Sequence, residues 1–302
     1  MGANNMTKKS SPLQSLLESE TFYHYRKDPT AIIGSVIVVA ALLIAIFGRM
    51  LAPQNPYDLT QLDIGNGYLP PVWMEGGDPQ FLLGTDAQGR CILSSIIYGS
   101  ASSLLIGVVG MVLSCILGTT LGLISGYSDG VLGSIIMRIA DVQLSFPSMF
   151  IALVILAIMG KGVDKLLVAL VITGWVTYAR TVRGVTLSVK KMDYISACKT
   201  IGLSRPVIVL RHVLPNVVSS VVVLATIQTG NFILTEATLS FLGVGVPVTH
   251  PSLGLLVKNG FDVLFSGLWW ASVFPGLYIM LLVFGINLLG DFLRDELDPR
   301  LK

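Results

Sequence analysis

From Cys91 to Ser128 the sequence contains no charged residue. An α-helix rises about 1.5 Å per residue, so roughly 20 mostly apolar residues cross the hydrocarbon core of a bilayer, and this run exceeds that length. The whole chain is 53% hydrophobic and only 13% charged, against about 25% charged for an ordinary soluble domain. The sequence therefore predicts an all-α, polytopic membrane protein, and its net charge of +2 gives no basis for nucleic acid as a partner.

Runs of sufficient length predict six transmembrane helices. They are Ala31–Gly48, Ser103–Ile124, Val142–Met159, Leu166–Ala179, Val213–Thr235 and Phe274–Gly290. The 91–128 run is too long for one crossing, so a polar interfacial segment is expected before the second span. The fourth span is short because Arg180 follows it, so either this arginine snorkels to the interface or the helix is short.

The distribution of Lys and Arg predicts the orientation. Fifteen of the 20 lie in the N-terminal segment, the 125–141 turn, the 180–211 loop and the tail from residue 291. Such residues collect on the cytoplasmic side, so both termini are predicted to be cytoplasmic. The organisation expected is a cytoplasmic segment 1–30, a first transmembrane helix 31–51, an extracytoplasmic loop 52–100, a membrane core 101–290 containing a cytoplasmic loop 184–215, and a cytoplasmic tail 291–302.

Small residues recur every four positions in the second span. They are Gly110, Ser114, Gly118, Gly122 and Gly126. This spacing places them on one helix face. In lipid, where apolar burial gives no drive between helices, such a stripe lets two helix backbones approach closely. The stripe predicts close helix packing, either within this chain or against a second membrane subunit.

Glu236 is the one acidic residue well inside an apolar run, in the segment ILTEATLSFLGVG. An ionisable group at that depth costs about 2.5 kcal/mol or more unless it faces protein or water. Glu236 is therefore a candidate for a structural position or for a place along a translocation path. A proton relay is less favoured, because no second acid, His or Lys accompanies it inside the membrane.

Sequence strings that match catalytic motifs lack the structural context that catalysis needs. Residues 126–130 (GYSDG) match the GxSxG nucleophile elbow, which requires a preceding strand, but a transmembrane helix precedes them here. No histidine lies inside a span to serve as a base. The sequence has no GxxxxGKS/T phosphate-binding loop, and its three cysteines show no zinc or disulfide spacing. Energy for uphill transport would come from a partner or an ion gradient.

The 184–215 loop carries two short apolar patterns at helical spacing. Apolar side chains at 195, 198 and 201, and again at 207, 210 and 213, predict two short amphipathic helices joined between Gly202 and Pro206. Such a pair is either a docking surface for a soluble partner or an interfacial pair lying on lipid headgroups. Spacing alone leaves both readings open.

The residues of this loop resemble the EAA loop of bacterial ATP-binding-cassette importer permeases. That pattern is Glu-Ala-Ala, three residues, Gly, nine residues, then hydrophobic-x-Leu-Pro. The corresponding positions are Ser196, Ala197 and Cys198, then Gly202, His212 and the pair Leu214 and Pro215. Ser196, Cys198 and His212 depart from the pattern, whereas the helix-Gly-helix arrangement is retained.

Further strings along almost the whole chain resemble the dipeptide, oligopeptide and nickel permeases of that class, of the type that serves as the second of two unlike permease subunits. The strings are LGTD at 83–86 with Gly89 and Arg90, MRxxDxxxxxP at 137–147, LSFLGVG at 239–245, and NxxGDxLRDxLDP at 287–299. Cys91, Ser95, Ala101, Leu253 and Phe292 depart from the family pattern. The order and spacing of the strings make the resemblance specific.

The resemblance implies a subunit of a bacterial inner membrane importer. Its implied partners are a second permease subunit, two cytoplasmic ATPases that bind ATP and Mg²⁺, an extracytoplasmic solute-binding protein and membrane lipid. No cofactor is expected in this chain. The resemblance implies that the 195–213 helices dock on an ATPase, with Lys199, Arg205 and Arg211 as candidates for polar contacts; the positive-inside rule would place such charges there in any case.

The cargo is left open by the sequence. Dipeptides, longer peptides, glutathione-like peptides and nickel chelates are all handled within the family, and short peptides are favoured here. A stand-alone secondary transporter is the rival from another class. Such folds usually show internal repeats and coupling charges, and this sequence has no convincing repeat and one buried acid. A membrane enzyme is excluded by the missing nucleophile and base.

Overall fold

The computed structural model describes residues 20–128 and 130–297, and helices form the regular structure of this part of the chain. The predicted stretches 1–19 and 298–302, and Asp129 of the GxSxG string, lie outside the described residues. The helices are α1 (Glu20–Lys27), α2 (Pro29–Leu51), α3 (Ile92–Tyr127), α4 (Val131–Leu144), α5 (Ser148–Met159), α6 (Val163–Val189), α7 (Asp193–Thr200), α8 (Arg205–Ile208), α9 (Leu214–Phe241), α10 (Leu253–Phe261) and α11 (Trp270–Leu297).

The all-α, polytopic fold predicted from the sequence is confirmed. Five helical stretches in the described residues are long and apolar enough to cross a membrane, and a bent helix pair gives a sixth when it is counted as one span. The predicted first, fifth and sixth spans fall on α2, α9 and α11, with each helix extending beyond the predicted bounds at one end or both.

Helix α3 is longer than the second span predicted from the sequence. It begins at Ile92 and continues for 36 residues, or about 54 Å, so the predicted start of the second helix near Ser103 is wrong. The serines of its first turns face protein instead of the membrane surface. Ser100, for example, is fully buried, with its Oγ 2.7 Å from the hydroxyl of Tyr278 in α11. Because the fold supplies these polar partners, the helix continues through them.

Helix α6 corrects the short fourth span. It has 27 residues and continues past Arg180 to Val189, well beyond the predicted end at Ala179. The guanidinium of Arg180 forms a salt bridge with Asp141 of α4. An ion pair lowers the cost of placing a charge along an apolar helix, so the helix does not have to end at the arginine.

The predicted third span is divided into two helices. Helices α4 and α5 meet at an angle of 92°. Pro147 lies at the break and caps α5 without a backbone N–H to donate. Just before the break, the side chain of Gln143 bridges to α6, donating to the Ile172 carbonyl at 2.7 Å and accepting from Nε1 of Trp175 at 3.0 Å. These bonds fix the bend against α6.

Two buried clusters define the ends of the bundle. At one end, here called the loop end, Ile92 packs with Leu253 and Trp270. At the other, here called the α7 end, Tyr127 and Ile195 belong to one cluster together with the last residue of α6. Helix α3 therefore runs from the loop end to the α7 end.

The bent pair α4–α5 carries the chain back across the bundle. Helix α6 ends at the α7 end, while its first residue, Val163, packs near Val246, which follows α9 at the loop end. The α4–α5 pair joins the α7 end of α3 to the loop end of α6, so it completes one crossing. Counted in this way, the pair is the sixth candidate span among the described residues. Helix α1 lies beside the last turns of α11, where Tyr25 packs on Phe292 with ring centroids 5.6 Å apart.

The small-residue stripe of α3 packs against α6 of the same chain. A Cβ added at Gly118 would lie 2.4 Å from the carbonyl oxygen of Trp175, and one added at Gly122 would lie 2.7 Å from that of Ala179. At Gly126 the nearest atom would be in Thr186, again at 2.7 Å. Gly110 faces Leu170, and Ser114 is fully buried beside Gly174. The sequence left open whether the stripe packs within this chain or against a second membrane subunit, and these contacts are made within the chain.

The 52–91 segment folds over the loop end. The side chain of Gln54 holds it together, donating to the Gln61 carbonyl at 2.8 Å and accepting from the N–H of Cys91 at 2.7 Å. Gly84 and Gly89 have φ angles of +83° and +72°, a conformation that favours glycine. The turns of this segment thus require both glycines of the LGTDxxGR string.

Candidate functional site

The α7 end carries a helix-turn-helix that closes with a Schellman motif at Gly202. This glycine has a φ of +84°; its N–H donates to the Lys199 carbonyl at 3.0 Å, and the next N–H, of Leu203, donates to the Cys198 carbonyl at 3.1 Å. The pair of bonds satisfies the last carbonyls of α7. Because the left-handed conformation is unfavourable for residues with a Cβ, glycine sets the angle between the two helices.

The second helix of this loop is continuous with the fifth span. Helix α8 begins at Arg205 and passes through a π-helical turn, Val209–Val213, directly into α9. The prediction of two separate short helices is therefore correct for α7 and wrong for the second. A single π turn often marks a functional site in a helix, and here it joins the loop to a transmembrane helix without a flexible link.

Buried side chains anchor α7 and α8 to the bundle. Ile195 of α7 and Ile208 of α8 are 0% and 1% exposed, and they pack with Val182 of α6, Val217 of α9 and Leu123 of α3. Helices α7 and α8 therefore pack against three of the long helices.

Polar contacts add to this anchoring. The Nζ of Lys190 donates to the carbonyl of Tyr127 at the end of α3, at 2.9 Å, and lies over the same tyrosine ring. Asn216 of α9 donates from Nδ2 to the hydroxyl of Tyr194 in α7 at 3.3 Å. The first bond joins the end of α6 to the end of α3, and the second joins α7 to the start of α9.

The opposite side of the helix-turn-helix leaves apolar side chains exposed. This surface lies in the loop for which the sequence predicts coupling, and it is here called the coupling surface. It consists of Met192, Tyr194, Ile201, Leu203 and Leu210. Ile201 is 78% exposed and stands next to the Gly202 turn. Exposed apolar groups that lie together outside the membrane-facing helices indicate an interaction surface.

The structure brings the predicted coupling residues together at this end. Ser196 and Ala197 are exposed on α7, Cys198 is half-buried against the α7-end cluster, Gly202 forms the turn, Arg205 and Arg211 are exposed on α8 and the π turn, and Leu214 and Pro215 begin α9. The triplet position thus presents two small side chains outward and one inward.

Glu236 lies toward the opposite, loop end of the bundle and is fully enclosed. Its carboxylate accepts three hydrogen bonds of 2.8 Å, from the hydroxyls of Ser103 in α3, Ser240 in α9 and Ser252 before α10. The side chain has 0% exposure. In this conformation Glu236 does not face an open path. Its contacts fit the structural position that the sequence offered as one alternative to a place along a translocation path.

The serine partners of Glu236 also bind backbone. Ser103 Oγ accepts from the N–H of Leu253 at 3.4 Å, and Ser240 Oγ accepts from that of Val246 at 3.3 Å. The carboxylate therefore ties the 243–252 turn and α10 to two spans. Sequence reasoning found the acid but not the serines, because they lie up to 133 positions away in the chain.

The long apolar helices of the fold define an integral membrane protein. Residues 118–302 match the family described as the binding-protein-dependent transport system inner membrane component, and residues 16–71 match the N-terminal transmembrane domain of oligopeptide transport permease C. The first match covers more than half of the chain, and the chain belongs to this family of inner membrane components.

Individual relatives are similar over almost their full length. The dipeptide transport system permease protein DppC of Haemophilus influenzae is 36% identical over 97% of this chain and 96% of its own. That of Escherichia coli K12 is 38% identical over the same shares. The oligopeptide transport system permease protein OppC of Bacillus subtilis is 34% identical over 99% of this chain and 94% of its own.

Proposed function

We propose that this chain is one of two permease subunits of an ATP-driven importer that carries short peptides across the bacterial inner membrane. The observation that carries the proposal is the coupling surface around Ile201, which is exposed, apolar and rigidly joined to α6 and α9. A soluble partner that binds this surface can move transmembrane helices without a flexible joint between them.

The charge distribution supports a cytoplasmic position for the α7 end. Arg183, Lys190 and Lys191 lie at the end of α6 and just after it, and Arg205 and Arg211 follow in the loop. Positive side chains collect on the cytoplasmic side of inner membrane proteins. The 52–100 segment would then face the extracytoplasmic side, where a solute-binding protein delivers cargo.

The proposed mechanism is alternating access driven by the ATPases. Two cytoplasmic ATPases bind ATP and Mg²⁺, and one of them receives α7 in a groove lined by apolar groups. Closure of the ATPase pair moves α7 as a rigid body, and the anchors Ile195 and Ile208 pass that movement to the spans. Rigid-body rotation at an interface is a common way to convert one state of a transporter into another.

The names of the relatives support peptides as cargo. The Haemophilus and Escherichia relatives are dipeptide permeases and the Bacillus relative is an oligopeptide permease, which favours peptides over nickel. A glutathione-like peptide falls within the same chemical class. A stand-alone secondary transporter is the alternative that the experiment separates.

The coupling surface can be tested with two matched isoleucines. Ile201 is 78% exposed at the α7 end, and Ile64 is 81% exposed at the loop end. The chain, the second permease and the ATPases are co-expressed and purified through a tag on this chain. We expect Ile201→Asp to reduce ATPase recovery at least tenfold and Ile64→Asp to leave it unchanged.

Uptake of a radiolabelled dipeptide into proteoliposomes gives the second readout. Uptake that requires the ATPases and ATP supports the importer. Uptake by this chain alone would identify a secondary transporter instead, and normal ATPase recovery with Ile201→Asp would contradict the docking role.

A further inference from the structure

A cavity of about 670 Å³ opens at the loop end, and neither the coupling surface nor Glu236 lines it. The 52–90 segment, the first turns of α3, helix α10 and the start of α11 form its walls. Polar side chains that line it include Tyr57, Asp86, Arg90, Ser95 and Asp262. Its size falls within the range of about 300 to 1,000 Å³ that is typical of small-molecule sites.

Ser95 is an unpartnered polar side chain in the wall of this cavity. It is 2% exposed, and within the described residues its Oγ has no hydrogen-bond partner. Its neighbours on α3 differ: Ser94 Oγ accepts from the N–H of Gln54, and Ser103 Oγ donates to a carboxylate. Buried hydroxyls are nearly always paired, so a hydroxyl left available at a cavity wall points to a ligand group.

Arg90 presents a second unused donor in the same cavity. Its Nε is buried without a hydrogen-bond partner in the described part of the chain, and no carboxylate lies within ion-pair distance of its guanidinium there. The guanidinium stacks over the ring of Tyr57, with Cζ 5.5 Å from the ring centroid, and donates to the side chain of Gln88. A guanidinium held in this way can bind a carboxylate through parallel hydrogen bonds.

Acidic groups line another part of the cavity. Asp262 follows α10, is exposed and forms no ion pair in the residues that the structure describes. Asp86 uses one carboxylate oxygen, Oδ1, to accept from the N–H groups of Gln88 and Arg90 at 2.8 and 3.0 Å. A guanidinium and carboxylates in one cavity are complementary to a molecule that carries both a negative and a positive charge.

Tyrosines add uncharged walls to these charged groups. Burial raises the pKa of Tyr57 to about 12, so its hydroxyl is protonated at neutral pH. Tyr68 also lines the cavity and has a φ of +59°, a conformation that is unusual for a bulky residue. Aromatic and apolar walls with a few placed polar groups are the usual composition of a ligand site.

We infer that this cavity binds a short peptide in its zwitterionic form, with the peptide carboxylate on Arg90 and Ser95 and the peptide ammonium group on Asp262. The inference rests on the proposed peptide import and adds a place where this permease itself contacts the cargo. The cavity opens at the loop end, where cargo is delivered in the proposed function. The cargo would therefore meet this cavity as it enters the permease.

The test is direct binding to the assembled permease pair with its ATPases in nanodiscs, without the solute-binding protein. Equilibrium dialysis measures radiolabelled Ala-Ala, its C-terminal amide and its N-acetyl derivative. We expect Arg90→Gln to weaken Ala-Ala binding at least tenfold without weakening binding of the amide. Asp262→Asn should weaken Ala-Ala binding without weakening that of the N-acetyl derivative.

Arg49→Gln is the matched control for Arg90. Its guanidinium also lies 5.5 Å from a tyrosine ring, that of Tyr98, but it does not line the cavity. We expect Ala-Ala affinity in this variant to equal that of the unchanged protein. If Arg90→Gln does not assemble, Ser95→Ala removes the hydroxyl with little change in shape, and a several-fold loss of Ala-Ala affinity is expected.

Two sets of results would overturn the inference and leave peptide import standing. One is full peptide uptake in the complete system with no saturable Ala-Ala binding to the permease complex, or with equal binding in Arg90→Gln. The other is loss of solute-binding-protein association in Arg90→Gln with Ala-Ala binding intact, which would identify a docking surface. Failure of peptide uptake in the complete unchanged system would contradict the proposed function itself.

Discussion

Ser103 of α3 donates a hydrogen bond of 2.8 Å to the carboxylate of Glu236 in α9. The two residues are joined inside the protein with Ser240 and Ser252, and all four side chains are buried. The group couples the second span, the fifth span and the turn that leads to α10. Glu236 and its three serine donors, here called the clasp, thus join these segments at the loop end.

Removal of the clasp should destabilise the protein strongly. Glu236→Ala leaves three buried hydroxyls without their acceptor, and we expect a loss of about 3 kcal/mol or more in the free energy of unfolding. Glu236→Gln should cost less, because the amide oxygen still accepts. The measurement is thermal unfolding of the purified chain in mild detergent.

Glu75→Ala is the control for Glu236. Glu75 is exposed in the 52–91 segment, and a surface substitution of this kind changes stability by about 0.5 kcal/mol or less. Equal melting temperatures for Glu236→Ala and Glu75→Ala would show that the clasp contributes nothing to stability.

The close contact of α3 with α6 predicts intolerance at Gly118. A Cβ there would lie 2.4 Å from the Trp175 carbonyl oxygen and 2.6 Å from the Tyr178 Cβ. Backbone cannot move aside easily, so Gly118→Ala should cost about 1–3 kcal/mol. Gly184 lies in the same helix pair with nothing within 4 Å of an added Cβ, and Gly184→Ala should be neutral or stabilising. Equal melting temperatures of the two variants would refute the packing argument.

The salt bridge between Arg180 and Asp141 predicts a rescue by charge exchange. The two side chains are 49% and 51% exposed, so this chain does not enclose the ion pair. Asp141→Ala should leave the Arg180 guanidinium without its ion pair, so we expect less membrane-inserted protein. The double exchange of Asp141→Arg with Arg180→Asp should restore much of the membrane-inserted protein, measured by quantitative blotting. If the unchanged protein, the single variants and the double exchange all give equal amounts of membrane-inserted protein, the ion pair is incidental.

The turn at Gly202 predicts an order of activities that steric size alone would not give. No atom lies within 4 Å of an added Cβ, but the φ angle is +84°. Gly202→Ala should therefore cost about 1–2 kcal/mol locally, and Gly202→Asn less, because Asn adopts this conformation more readily. We expect ATP-driven uptake to fall in the order Gly, Asn, Ala, whereas a purely steric effect would place the larger Asn last.

Sequence patterns were most informative where the local chain decides the outcome. The sequence predicts Gly202 at the joint between two helices because the apolar positions on either side are at helical spacing, and the φ angle shows why glycine is required there. The length of α3 was not predictable in the same way. Its serines look interfacial in the sequence, and only their partners in distant segments make them part of a continuous helix.

The sequence by itself determined the class of the protein. Long uncharged runs cannot remain outside a membrane or a protein interior, so the all-α polytopic fold follows from composition and run length. The recurrence of small residues likewise determined that α3 presents a face for close packing, because helical periodicity is a local property.

Only the tertiary structure decided which groups meet. It placed the stripe of α3 on α6, paired Arg180 with Asp141 and enclosed Glu236 among serines from three segments. It also left Arg90 Nε and Ser95 Oγ without a hydrogen-bond partner among the described residues, in the wall of one cavity. Each of these depends on side chains far apart in the chain, whose contacts are set by how the helices pack and not by any local pattern. For that reason the sequence could predict the elements of the bundle but not the connections between them.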